Sequence, residues 1–202
     1  MILTLPNVLT IGRIAAIPVV IALLFVDGHI APWMACITFT IAAVTDIIDG
    51  YLARMMKIES RLGRLLDPIA DKLLVSAVLL TLVGMGRVSE LTIVPAVIIL
   101  CREILVSGLR EHLAQVNVSL PVTWFAKCKT VVQMVALGFL IVGDAAPSLI
   151  PARLIGELGL WGAAVVTLIT GWDYLKAAMS HMVSGDPTNQ DESSSKSVAP
   201  PK

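Results

Sequence analysis

Asp46, Asp49, Arg54, Asp67 and Asp71 recur at helical spacing inside otherwise apolar sequence. They follow the pattern Asp46-x2-Asp49-Gly50-x2-Ala53-Arg54-x8-Gly63-x3-Asp67-x3-Asp71. An ionisable group in lipid-compatible sequence costs about 2.5–3.5 kcal/mol on insertion scales, and it is kept where a partner, an ion or a reaction needs it. Carboxylates held close together repel one another, and divalent cations, which prefer oxygen ligands, make such a cluster tolerable. The first chemistry to expect is therefore a metal site, Mg2+ or Mn2+ and two ions, inside a membrane protein. Paired metals of this kind clamp the entering and leaving oxygens of a phosphoryl displacement. A carboxylate not used up in coordination is a candidate general base toward an attacking alcohol.

The spacing says which elements must position these groups. Residues three and four apart share a helix face, so Asp46, Asp49 and Ala53 form one stripe and Asp67 and Asp71 another. Two such helices packed as an antiparallel hairpin bring all four carboxylates together. Small residues at Gly50 and Ala53 let a bulky group approach the backbone, and Gly63 allows a tight turn or a close contact. Asp67 followed by Pro68 reads as the start of a helix, with Asp67 as its N-cap.

The whole chain suits that setting. Its 202 residues are 56% hydrophobic and only 15% charged, with a mean hydropathy of +0.85; soluble domains carry about 25% charged residues. Stretches near 8–26, 31–53, 68–86, 91–112, 128–148 and 154–180 approach the length of about 20 residues that a spanning helix needs. The expected fold is all-α, a polytopic membrane bundle of six transmembrane helices. Breaks are expected at Asp27-Gly28, at Gly84 and Gly86, over Val118–Pro121 and over Asp144–Pro151. Arg54, Lys57, Arg61, Arg64, Arg110, Lys127 and Lys129 fall at one end of this arrangement, against Arg87 and Arg153 at the other. The positive-inside rule then places both termini and the aspartates in the cytoplasm. Residues 1–183 form one membrane domain. Residues 184–202 are polar and Ser/Pro-rich, too poor in apolar groups to fold, and are expected to be disordered. The N-terminus lacks the basic start and cleavage site of a signal peptide, so the first apolar segment is expected to remain.

Other features read more plainly. Net charge is zero, with 15 basic and 15 acidic residues, which gives no argument for nucleic acid. Cys36, Cys101 and Cys128 are far apart and suggest neither zinc nor a disulfide framework. His29, His112 and His181 have no spacing for joint ligation. Trp33, Trp124 and Trp161, and Trp172 with Tyr174, suit interfacial anchors.

The aspartate pattern resembles, at every specified position, the signature of the CDP-alcohol phosphatidyltransferases. That resemblance implies a six-helix bundle moving a phosphatidyl or related group from a CDP-linked lipid to an alcohol, with release of CMP. It implies that Asp46, Asp49, Asp67 and Asp71 bind the metals, that Asp71 also serves as general base, and that Gly50, Ala53 and Arg54 receive the cytidine diphosphate part. A homodimer is also implied.

Further stretches resemble one bacterial branch of the family, whose substrates are CDP-diacylglycerol and glycerol 3-phosphate. They are Leu5-Pro6-Asn7-Val8-Leu9-Thr10 with Arg13 and Pro18, Leu66–Lys72, Cys101–Ile104, Ser107–Glu111, and Ala126–Thr130 with Gln133. Independently, an anionic acceptor meeting an anionic diphosphate needs cations, and Arg102, Arg110, Lys127 and Lys129 are available for its phosphate. The two lysines equally suit lipid headgroups. Glu103 is placed to orient Arg110 or another basic group. Thr10 and Arg13 open the first helix at the same membrane face, where they contact the lipid diphosphate or, for Arg13, snorkel to headgroups. Three alternatives stand beside this reading: a cardiolipin or phosphatidylinositol-phosphate type synthase, a divalent-cation transporter with a carboxylate-lined path, and a catalytically idle lipid-binding scaffold, which retention of all four carboxylates disfavours.

Overall fold

A computed structural model describes residues 5–56, 61–115 and 124–184. Six helices follow in order: α1 (Leu5–Leu24), α2 (Ile30–Met56), α3 (Arg61–Gly84), α4 (Ile93–Gln115), α5 (Trp124–Val142) and α6 (Ala152–Ser184). Short 3-10 turns at Glu90–Thr92 and Gly143–Ala145 precede α4 and follow α5. No strand occurs among the described residues.

The apolar residues explain the arrangement. On α3, Leu74, Val75, Val78, Leu79 and Leu82 form one buried stripe at helical spacing. They pack with Val20 and Leu24 of α1, Phe39 of α2, Ile99 of α4, Leu137 and Leu140 of α5, and Leu160 of α6. Apolar groups also cover much of the outside, including Ile41, Leu80, Val97, Ile104, Val131 and Ile169. A surface that oily suits lipid rather than water. Glu90–Glu111, Cys128–Ala145 and Ala152–Lys176 are long and apolar enough to cross a bilayer, and Val8–Leu24 and Ile30–Thr45 are shorter apolar helices. This is a membrane protein. With 27 residues, α2 runs about 40 Å, beyond the hydrocarbon thickness of about 30 Å.

Among the described residues, α1 packs along both α2 and α3, while α2 and α3 meet each other only narrowly. The expected α2–α3 hairpin thus has α1 as its third member. Where α5 meets α6, small residues set the distance: a Cβ on Gly156 would fall 2.6 Å from Leu140 Cγ, and one on Gly159 2.7 Å from Ala136 Cβ. Close backbone approach through small residues is how membrane helices gain packing energy where lipid removes the hydrophobic drive.

Several expected boundaries are observed. α1 ends ahead of Gly28 (φ 122°), and α3 ends in a Schellman arrangement. There Arg87 N–H bonds Leu82 O, Gly86 N–H bonds Val83 O, and Gly86 takes the left-handed conformation (φ 65°) that this cap requires. The expected break at Val118–Pro121 lies outside the described residues, as does the tail beyond Ser184.

Two expectations need correction. α3 begins at Arg61, so Asp67 is inside the helix and is not its N-cap. Leu62, Leu65, Leu66 and Ile69 extend the apolar periodicity upstream, and Pro68 forfeits only the bond to the carbonyl four residues before it. Tyr174 is buried rather than interfacial.

At the end opposite the aspartates, both arginines are used as caps. Arg87 donates from Nη1 to Ile141 O (2.9 Å) and from Nη2 to Leu24 O (3.4 Å), the carbonyl ends of α5 and α1. Arg153 donates from Nε to Arg87 O (2.9 Å) and also bonds Gly86 O. Cations at helix C-termini meet both free carbonyls and the negative end of the dipole. Arg87→Ala should therefore lower stability by about 2 kcal/mol, read as a reduced thermal midpoint in detergent. An unchanged midpoint would show that water caps these helices as well.

Candidate functional site

Asp67 sits where α1 packs on α3. Thr10 and Arg13, three residues apart on α1, are 0% and 2% exposed. Thr10 Oγ1 donates to Asp67 Oδ1 at 2.5 Å, joining residues 57 positions apart. This bond occupies one oxygen of Asp67 and fixes its carboxylate. On α3, Gly63, Asp67 and Asp71 follow at intervals of one helical turn, with Gly63 buried. Asp46, Asp49, Gly50, Ala53 and Arg54 belong to the second half of α2, beside α1, but their side chains lie outside the described residues. Among the described residues no three acidic, His or Cys groups gather. The described part of the site thus contributes two hard oxygen donors, Asp67 and Asp71, on one helix face.

A polar cleft opens beside Asp71, between α3, α4 and α5. Its inner end, about 30 Å³, is lined by Asp71, Lys72, Ser76, Glu103, Lys129 and Gln133, among others. Its mouth, about 320 Å³, is lined by Lys72, Arg102, Glu103, Ser107, Arg110 and Glu111 with Val106. Lys72 and Glu103 belong to both compartments, so the two adjoin. Three cations against two carboxylates make the mouth a place for an anion.

One ionic network holds the cleft walls. Glu103 of α4 pairs with Lys129 of α5, and Arg102 Nη1 lies 3.4 Å from the same Glu103 oxygen. Lys129 is 4% exposed, so its charge depends on this partner; it also feels Asp71. Arg102 reaches across to α6, where its Nη2 donates to Thr170 Oγ1 at 2.9 Å and its guanidinium lies 5.8 Å from the Tyr174 ring centroid. Gly171 makes room for that reach: a Cβ there would stand 3.1 Å from Arg102 Cγ. Glu103 thus orients Lys129 and Arg102 rather than Arg110.

Of the expected anion-binding residues, Arg102 and Arg110 line the mouth and Lys129 the inner end, while the side chain of Lys127 lies outside the described residues. Lys72, Ser107 and Gln133 were not singled out as site residues. Gln133 carried a signal as a lone amide within a strongly apolar run, and Lys72 as a cation adjoining the aspartate stripe at the edge of one.

The chain matches the sequence model of the CDP-alcohol phosphatidyltransferases over residues 3–169. It is 47% identical to a protein of Rickettsia bellii named CDP-diacylglycerol–glycerol-3-phosphate 3-phosphatidyltransferase, over 88% of this chain and 96% of that protein. Proteins of the same name in Cereibacter sphaeroides and Pectobacterium atrosepticum are 37% and 38% identical, over 89% and 86% of this chain and 97% and 94% of theirs.

The Glu103–Lys129 pair gives a direct test of the cleft's construction. Glu103→Ala should destabilise the protein by about 3 kcal/mol, because it strands a buried ammonium. Adding Lys129→Met should recover most of that loss. Thermal midpoints of the single and double variants form the cycle; losses that merely add would mean the two side chains are independent.

Proposed function

The chain belongs to the CDP-alcohol phosphatidyltransferase family, and we propose that it transfers the phosphatidyl group of CDP-diacylglycerol to glycerol 3-phosphate, giving phosphatidylglycerophosphate and CMP. The observation that carries this assignment is the cleft, where Asp71 adjoins a mouth with Lys72, Arg102 and Arg110 in its walls. A dianionic acceptor suits that mouth, and its name appears in those of the relatives.

The division of labour follows from position. Arg110 and Lys72 receive the acceptor phosphate at the mouth, with Arg102 held by Thr170 and Glu103 so that its guanidinium keeps a fixed orientation. The lysines Lys127 and Lys129 extend the positive field along α5. Asp71 takes the proton of the 1-hydroxyl as that oxygen attacks the phosphorus bearing diacylglycerol, and the bond to the CMP oxygen breaks. Gly50, Ala53 and Arg54 receive the CDP-lipid headgroup, and Thr10, Arg13 and Gly63, buried beneath it, back the wall it rests on, with Thr10 orienting Asp67. Asp67 and Asp71, together with Asp46 and Asp49 of α2, are the oxygen donors for two divalent cations, Mg2+ or Mn2+. Bound there, such ions would neutralise the diphosphate and the departing CMP. The donor set fits hard cations: the bond from Thr10 uses one carboxylate oxygen of Asp67 and leaves the other to a cation.

In the bilayer, we place all six helices as spans, with the aspartate end and both termini in the cytoplasm of a bacterial inner membrane. Residues 1–183 form the catalytic domain and 184–202 a polar tail. A homodimer is the proposed assembly.

Purified protein with CDP-diacylglycerol and Mg2+ should release CMP with glycerol 3-phosphate and not with inositol phosphate or phosphatidylglycerol. Preference for either of the latter would reassign the acceptor. Chelating the metal should abolish release and re-adding it restore it. Asp71→Asn should lower kcat by about a thousandfold, within the range of general-base contributions; near-normal turnover at saturating Mg2+ would remove Asp71 from that role.

A further inference from the structure

Gln133 is 3% exposed on α5, and its side-chain Oε1 is sealed from solvent without a hydrogen-bond partner among the described residues. A buried amide oxygen left unmet is costly, so native structures retain such an atom mainly where something else meets it. Gln133 lines the inner end of the cleft together with Asp71, Lys72, Ser76 and Thr130. It stands one helical turn from Lys129, on the same face of α5. That compartment, about 30 Å³, has room for a carbinol, a carbon with its hydroxyl, and little more.

We infer that the side-chain carbonyl of Gln133 accepts a hydrogen bond from the free secondary hydroxyl of the acceptor alcohol and so makes the enzyme selective for a hydroxylated three-carbon acceptor. This inference rests on the transferase reading above. With the acceptor phosphate at the mouth and its terminal hydroxyl at Asp71, the carbon between them passes through the inner compartment. The hydroxyl on that carbon is a donor, and Oε1 is an acceptor that the protein leaves unmet. Of the other acceptors in this compartment, Glu103 is engaged by Lys129, which also ties up that ammonium, and Asp71 meets the terminal hydroxyl, so the Gln133 oxygen is the acceptor left for the secondary one. An acceptor lacking the hydroxyl would leave the amide oxygen unmet in the complex as well, which is how a site built for a hydroxyl rejects the analogue without one.

The test compares glycerol 3-phosphate with 3-hydroxypropyl phosphate, which replaces the carbinol by a methylene. Wild-type enzyme should favour glycerol 3-phosphate in kcat/KM by about tenfold or more, the ratio that one hydrogen bond of about 1.4 kcal/mol supplies. In Gln133→Met the ratio should fall to within about threefold, with the loss borne by glycerol 3-phosphate. Gln133→Glu, which keeps an acceptor oxygen at this position, should retain the preference. Both acceptors are measured on one preparation, so the folded fraction cancels in the ratio. A wild-type ratio near one, or a Gln133→Met variant that loses both activities in parallel, overturns the inference while leaving the transferase reading intact. Wild-type enzyme that releases CMP with neither acceptor sinks the transferase reading itself.

Discussion

Lys129 keeps an ammonium group at 4% exposure in a bundle whose other surfaces are mostly apolar, and the arrangement of α4, α5 and α6 follows from how that charge is met. Glu103 meets it from α4. Arg102, next to Glu103, shares the same carboxylate and is held in turn by Thr170 and Tyr174 on α6. Breaking any one member strands charge in a low-dielectric surround, where the penalty is several kcal/mol. The three helices are therefore tied at one end by electrostatics and along their length by apolar packing. The cleft beside Asp71 is the gap this network leaves on the side facing α3.

The two ends of the bundle use cations differently. At the Gly86 end, Arg87 and Arg153 spend their donors on the carbonyls of helix termini and a turn, and Glu157 holds Ser89 through its backbone N–H (2.7 Å) and hydroxyl (3.0 Å). Those groups are satisfied within the protein. At the aspartate end, Lys72 and Arg110 face open space in the cleft. Among the described residues, the cleft at the Gly86 end sets Arg153 against Asp144 and Glu157, whereas the mouth at the aspartate end has three cations against two carboxylates.

Much of the helix pattern was legible because punctuation and hydropathy are local. Gly28, Gly86 and the Asp144–Pro151 stretch mark real ends, and apolar periodicity locates the cores of all six helices. The start of α3 was misread because Asp67-Pro68 carries a strong local cap signal that outweighed the apolar periodicity of Leu62, Leu65 and Leu66 upstream. The aspartate stripe was visible from spacing. What it lacked was α1: nothing local announces that Thr10 meets Asp67, and no pattern on either helix specifies the other as neighbour. Glu103 shows the same limit, since helical spacing offered Arg110 as its partner while tertiary packing delivered Lys129. Gln133 stood out only as an amide among apolar neighbours, and burial had to be seen before its unmet oxygen meant anything.

The seam of Gly156 and Gly159 against Ala136 and Leu140 has no clearance for even a methyl group. With no slack to slide, α5 and α6 behave as a single stiff plate, and that plate carries Lys129 and Gln133 on one member and Thr170 and Tyr174 on the other. An alanine at either glycine would wedge the two helices apart and so widen the spacing between the side chains that α5 and α6 present to each other's neighbours.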